Sequence, residues 1–285
     1  MAAEAVGAGE PSGAAATIRG ATSIRVDGVS KAFGTLPALR DVSLSAEGGQ
    51  FVSLVGPSGC GKSTLFNIMA GLIEPDTGRV WIGDDDVTGQ TGHVGYMLQR
   101  DLLLPWRTVI DNVVLGLDVR GIPRRESYAR ARELLARFGL GRFERAYPAQ
   151  LSGGMRQRCA VIRTILYDAP VFLLDEPFSA LDAQTRLLMQ EWLLEVWESL
   201  RKTVFYITHD VDEALFLSDR VYAMSARPGT IIDNVVVGLR RPRDHADRTS
   251  PELLAHKVRL TEVIRAEAER AIAGETADDG ARPPA

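Results

Sequence analysis

The chain has 285 residues, room for one large domain or two smaller ones. Its 45% hydrophobic and 25% charged residues match a globular protein with a sizeable core and exclude disorder over most of the length. The 33 basic and 37 acidic side chains sum to −4, which argues against bulk attraction to DNA or anionic lipid. No apolar run approaches the roughly 20 residues of a spanning helix. Two cysteines cannot build a disulfide framework, and the first residues lack the layout of a signal peptide. Composition therefore points to a soluble, cytoplasmic protein.

Residues 1–21 are small and polar and read as a flexible tail, as do residues 275–285. Ile24 and Val26 alternate with Arg25 and Asp27, the pattern of a strand with one wet face. Residues 51–55 (FVSLV) are a short buried-type strand. Residues 62–72 follow as a helix, with Leu65, Ile68, Met69 and Leu72 at spacings of three and four. Residues 171–174 and 204–207 are two further buried-type strands. Apolar strands separated by helices predict a mainly parallel sheet covered on both faces, an α/β fold.

The middle of the chain differs. Residues 120–165 carry eleven arginines against three glutamates, with no lysine or aspartate. Ala131, Leu134, Leu135 and Phe138 form a helical stripe there, so about residues 100–165 are expected to be a helical insert in the core. After residue 240, RRPRD reads as a hinge. A helix is expected from Pro251 with Ser250 as its N-cap, giving a C-terminal helical extension over 241–274.

The strongest local signal is GPSGCGKST at residues 56–64, which fits G-x-x-x-x-G-K-[ST] between a strand and a helix. Glycines at Gly56, Gly59 and Gly61, with Pro57, Ser58 and Cys60 between them, let the backbone N–H groups turn inward around a phosphate. The helix that follows offers its own free N–H groups to the same anion. Lys62 is placed to reach the β- and γ-phosphates of a nucleotide, the Ser63 hydroxyl to ligate Mg2+, and Thr64 to touch the α-phosphate. Cys60 weighs as a small filler against a redox switch. A second signal is VFLLDEP at residues 171–177, where a buried strand ends in two acids. Such charge is costly without a cation or a reacting water to use it. Asp175 is expected to hold Mg2+ opposite Ser63, and Glu176 to polarise the attacking water.

With LSGGMRQR at residues 151–158, lying between the phosphate loop and the strand acids, about residues 22–230 resemble the ATP-binding cassette (ABC) family, specifically a transporter's nucleotide-binding subunit, which implies an ATPase domain over 22–240. The resemblance implies a P-loop NTPase core, an antiparallel β edge near the N-terminus and the inserted helical subdomain. It implies that Gln99 contacts Mg2+ and the attacking water, that His209 contacts the γ-phosphate and that residues 179–182, ending in Asp182, cross a dimer interface. Phe33 stands where the family places an aromatic on adenine. Ser152, Gly153 and Gly154 then form a second phosphate-binding helix start, and two copies would pair head to tail around two ATP-Mg2+, each completing the other's pocket.

The resemblance further implies an ATPase coupled to solute translocation, peripheral at the cytoplasmic face of the membrane, with a separate permease as partner. LLPWRTVIDNV (103–113) and SARPGTIIDNV (225–235) resemble the nitrate/sulfonate/taurine/bicarbonate importer group, which uses a separate solute-binding protein. Cassettes of that group also serve pyrimidine-like vitamin precursors, and no residue here identifies the solute. Leu102–Leu104, Pro105 and Trp106 either line the groove for the permease's short helix or cap the insert's core. The tail beyond residue 230 is too short for a large β-rich regulatory domain. Clustered arginine can also mark nucleic-acid or ribosome binding. Little aromatic interleaving, no CxxC pair and no long heptad run favour a solvated helix face, so no nucleic-acid partner is expected.

Overall fold

The computed structural model describes residues 22–279; the readings for residues 1–21 and 280–285 lie outside them. Strands β1 (Ile24–Phe33) and β2 (Leu36–Ala46) open the fold as an antiparallel pair. With β4 (Thr77–Ile82) and the short β5 (Asp85–Asp86) they form a four-stranded sheet ordered β2-β1-β4-β5. The alternation read in the sequence is present, since Ile24 and Val26 are buried while Arg25 and Asp27 are exposed.

The second sheet has six strands, ordered β10-β9-β3-β8-β7-β6. They are β3 (Phe51–Val55), β6 (Val94–Met97), β7 (Val171–Asp175), β8 (Thr203–Ile207), β9 (Arg220–Met224) and β10 (Ile231–Val236). All neighbours pair in parallel except β10, which runs antiparallel to β9. Every residue of β3, β7 and β8 is buried, as central strands covered on both faces must be. Helix α1 (Lys62–Met69) packs between the two sheets with Leu65, Phe66 and Ile68.

Helix α1 stops short of the expected residue 72. Gly71 takes φ +72°, and a Cβ there would lie 2.1 Å from the Gln90 carbonyl oxygen. The Gly71 N–H bonds the Ile68 carbonyl and the Leu72 N–H the Asn67 carbonyl, which closes the helix in a left-handed cap that only glycine fits. Leu72 is left exposed.

Helices α2 (Val109–Val113), α3 (Leu115–Val119), α4 (Arg124–Arg137) and α5 (Gly153–Leu166) lie between β6 and β7. Ala131, Leu135 and Phe138 bury against α5 and α6 (Ala183–Leu200), while Leu134 is only partly covered. Helix α7 (Val211–Leu217) follows β8, and α8 (Pro251–Asp279) packs Leu253 and Leu260 against α7, β9 and β10. The Ser250 hydroxyl accepts from the Leu253 N–H at 3.3 Å, as an N-cap does. Helix α8 runs to Asp279, past residue 275 where the sequence suggested a tail.

The RRPRD segment is a clamp rather than a hinge. Arg243 is fully buried, and its Nη1 donates to the carbonyls of Leu215, Phe216 and Ser218 at 3.0, 2.8 and 2.9 Å. Arg241 donates to Leu217 O at 2.6 Å and to Asp219 Oδ1 at 2.8 Å, with its guanidinium over the Trp197 ring. Two cations thus satisfy the carbonyl end of α7, where the helix dipole favours positive charge. Helical spacing cannot show this, because the partners come from an element some twenty-five residues earlier.

Candidate functional site

Strands β3, β8, β7 and β6 are neighbours and run the same way, so their carboxyl ends open onto one edge of the sheet. Ligand crevices of open α/β sheets form at such edges. The loop 56–64 leaves β3, His209 follows β8, Asp175 and Glu176 end β7, and Gln99 lies just beyond β6. A cleft of about 340 Å3 lies there. Phe33, Ser58, Gly59, Gly61, Lys62, Ser63, Thr64, Gln99, Asp175 and Glu176 all line it. Phe33 forms one wall with about half its surface exposed, at the end of β1.

Gly61 starts α1 in the left-handed region at φ +109°. A Cβ on it would lie 2.7 Å from Leu39 Cδ2 and 2.9 Å from the Ala38 carbonyl oxygen, so the loop closes only with glycine. The Lys62 ammonium is buried and donates to the carbonyls of Gly56 and Pro57, both at 2.8 Å. The lysine is thereby held over its own loop, aligned for an anion. Cys60 is buried, with its Sγ 3.6 Å from Lys62 Nζ, which suits the filler reading.

Asp175 is almost entirely buried at the end of β7. Burial pushes its carboxyl above the usual range; the Ser63 hydroxyl bond and the Lys62 charge oppose this, and the Glu176 charge adds to it. A hydroxyl and a buried carboxylate side by side are hard oxygen donors, the kind Mg2+ takes alongside water and phosphate oxygens. The donor set fits that ion. Glu176 sits at φ +47°, a backbone state rare outside glycine and concentrated at functional sites. Its N–H donates to the Ile207 carbonyl at 3.0 Å, which locks the β7 end to β8. Gln99 Nε2 donates to Glu176 Oε2 at 3.3 Å, and His209 Nδ1 lies 3.6 Å from Glu176 Oε1. One carboxylate is therefore met from two neighbouring strand ends.

Ser152, Gly153, Gly154 and Asp182 are not part of this cleft. Ser152 caps α5, its hydroxyl accepting from the Met155 N–H at 3.3 Å. A Cβ on Gly154 would meet Leu181 Cδ2 at 2.6 Å, so that glycine sets the approach of residues 179–182 to α5. A Cβ on Gly153 would make only an ordinary 3.8 Å contact with Arg156 Nη2, and Ser152 beside it is exposed. Asp182 caps α6 through the Thr185 N–H at 2.9 Å; that backbone bond holds its carboxyl below the usual range.

Three residues of the site region escaped sequence reading. Arg227 lines the cleft, with Nε 3.3 Å from the Gly59 carbonyl. Leu36 lines it beside Phe33. Gln157 accepts from the Ala180 N–H at 3.2 Å and donates to Ser179 Oγ at 3.4 Å, tying α5 to the segment after Glu176. Gln157 and Arg227 carried a signal in their places inside LSGGMRQR and SARPGTIIDNV, and Leu36 carried none. Trp106 and Leu102 are exposed on the insert, whereas Leu103 joins the core, so the apolar loop serves both surfaces.

The family described as ABC transporter matches residues 39–179. An uncharacterized ABC transporter ATP-binding protein of Methanocaldococcus jannaschii is 44% identical over 248 residues, spanning 86% of this chain and 92% of that protein. The taurine import ATP-binding protein TauB of Rhizobium johnstonii is 44% identical over 81% of this chain and 89% of its own length. The nitrate import ATP-binding protein NrtD of a Synechocystis species is 39% identical over 81% and 90%. Among solved structures, the bacterial ABC transporter cassette MJ0796, determined as a dimer, aligns with a TM-score of 0.70 at 31% identity, over 76% of this chain and 100% of that one. A post-hydrolysis state of that cassette with ADP and Pi aligns at 0.67, with the same identity and coverage. No helix among the described residues is long and apolar enough to cross a membrane. The chain belongs to the ABC transporter ATP-binding protein family and is an ABC ATPase with a P-loop NTPase fold.

Proposed function

We propose that the chain is the ATP-hydrolysing subunit of an importer of the nitrate, sulfonate or taurine type. It acts as a head-to-tail pair of identical chains that drives a separate membrane permease from the cytoplasmic face, with a solute-binding protein delivering the solute outside. The observation that carries this reading is the convergence of Lys62, Ser63, Gln99, Asp175 and Glu176 on one cleft while the helix start at the exposed Ser152 lies outside it. The names of TauB and NrtD support the importer type.

In this reading the adenine stacks on Phe33 and the phosphates enter the cradle of residues 56–64. Lys62 exchanges its two loop carbonyls for β- and γ-phosphate oxygens. Ser63, Asp175 and Gln99 hold Mg2+, which supplies neutralisation of phosphate charge when bound. Glu176 accepts the proton of the attacking water, and Gln99 and His209 fix its carboxylate. Most of the work is positioning and charge stabilisation, as phosphoryl transfer requires. Ser152, Gly153 and Gly154 of the second copy close over the γ-phosphate with a hydroxyl and free helix N–H groups, while Asp182 lies at the seam between the copies. Hydrolysis removes the group that bridges the two halves and releases the pair. Exposed Leu102 and Trp106 face the permease.

The test is Glu176→Gln with ATP and Mg2+. The variant should elute as a stable dimer with ATP and as a monomer with ADP. A monomer at ATP concentrations that saturate binding contradicts the paired reading.

A further inference from the structure

A buried polar chain runs from the C-terminal segment to the strand end that carries His209. It begins at Arg248, in the turn between β10 and α8. The Arg248 guanidinium lies over the Phe216 ring, 3.5 Å from its centroid, and its Nη2 donates to Gln190 Oε1 at 2.8 Å. Gln190 is buried on α6, and its Nε2 donates to Glu213 Oε1 at 2.8 Å. Glu213, buried on α7, also accepts from the Tyr206 hydroxyl at 2.8 Å. Its second oxygen meets the Thr208 hydroxyl. That hydroxyl donates to Glu213 and accepts the Asp210 N–H at 3.0 Å.

The polarity of this chain is set at its Arg248 end. Arg248 is donor only, so Gln190 must turn its carbonyl oxygen to it and its amide to Glu213. Glu213 then receives donors on both oxygens, as a buried carboxylate needs. Thr208 immediately precedes His209, and its hydroxyl is gripped on both sides, by Glu213 and by the Asp210 N–H. Glu213 and Thr208 also border the small gap that separates them from Glu176 and His209. The chain crosses from the turn before α8 through α6 and α7 to the end of β8.

We propose that Arg248, Gln190 and Glu213 are positioning residues for hydrolysis: by clamping Thr208 they set the angle at which His209 meets Glu176, so the docking of the C-terminal segment is read out at the reacting phosphate. The inference rests on the role given to His209 above. It makes the segment after β10 a determinant of turnover and not only a stabilising cover. Arg248 is the suitable point of attack, because it forms one wall of an open cavity of about 430 Å3 between α6, α7 and α8, and methionine or lysine in its place keeps an unbranched stem beside the Phe216 ring.

The experiment measures kcat and KM for ATP of the full chain with Mg2+ in Arg248→Met, Arg248→Lys, Thr208→Val, Thr208→Ser and His209→Ala, and in His209→Ala combined with Arg248→Met. Arg248→Met and Thr208→Val should each lower kcat about five- to tenfold with KM within about twofold, the range of coupling carried by such networks. Arg248→Lys and Thr208→Ser, which keep the donor, should recover most of the loss. Arg248→Met should add nothing to the residual rate of His209→Ala, since groups acting through one another are not additive. Parental kcat in both Arg248→Met and Thr208→Val overturns the inference. So does a parallel loss of kcat and ATP affinity, or an Arg248→Met effect that adds in full to His209→Ala, since either marks a merely structural network. Parental turnover in His209→Ala alone is distinct from these: it removes the histidine's role, and the inference with it.

Discussion

The helix starts at residues 61–64 and 152–155 share a chemistry and differ in their surroundings. Each offers a glycine, a hydroxyl and free N–H groups to an anion. The first lies inside a cleft that its own chain furnishes with a lysine, a buried aspartate and a glutamate in a strained backbone state. The second is capped by its own serine, which is exposed, and packs Gly154 against Leu181. One helix start is thus surrounded by residues of four strand ends, and the other stands apart on a helix of the insert. The difference teaches that loop chemistry alone does not make a site. What decides is whether charges from elsewhere in the fold converge on it.

The comparison can be sharpened by removing its parts in order of effect. Lys62→Ala takes away the cation of the complete half; turnover should fall by at least about a hundredfold, the loss expected when a preorganised charge on the transferring group is deleted. Steady-state ATPase assays check this, and a loss of less than about tenfold would show that the lysine is dispensable.

Arg243→Ala tests the fold away from both helix starts. It strips three carbonyls at the end of α7 of their donor and should cost about 2–3 kcal/mol in denaturant melts, since buried acceptors left unpaired are expensive. A cost under about 0.5 kcal/mol would mean that water replaces the guanidinium there.

Asp175→Asn should separate stability from function. Burial raises this carboxyl, so the native state holds its proton more tightly than the unfolded chain does. Stability therefore falls as pH rises through the ordinary carboxylate range near about 4, and the loss persists at neutral pH. The variant should gain on the order of 1 kcal/mol at pH 7 without nucleotide, flatten that pH dependence and lose Mg2+-dependent turnover. Melts at several pH values read the first two effects. A destabilised variant would show that the Ser63 and Lys62 contacts outweigh burial.

The sequence made some of this legible and hid the rest for physical reasons. Central strands announce themselves because both faces are buried, so residues 51–55, 171–174 and 204–207 read as short, largely apolar runs. The phosphate loop and the acid pair are legible because their chemistry is local. The end of α1 was overrun because Leu72 continues the apolar spacing, and the cap at Gly71 depends on the distant Gln90 backbone. RRPRD looked like a hinge because proline and exposed-type cations mark linkers, yet its arginines find carbonyls on α7. Glu213 in VDEAL looks like a surface acid. Gln190 from α6, Tyr206 from β8 and Thr208 just after it give it partners that local spacing does not show. In each case the missing information was tertiary contact across many residues, which local periodicity does not contain.

The most direct test of the paired cleft mixes two inactive chains. Lys62→Ala loses its own phosphate cradle and keeps an intact Ser152 helix start; Ser152→Arg keeps its cradle and blocks the helix start. Each alone should be silent. Mixed at equal amounts they should regain ATP turnover, because one of the two shared clefts in each mixed pair is whole. A mixture as silent as its components, under conditions where both chains bind ATP and associate, would contradict the account.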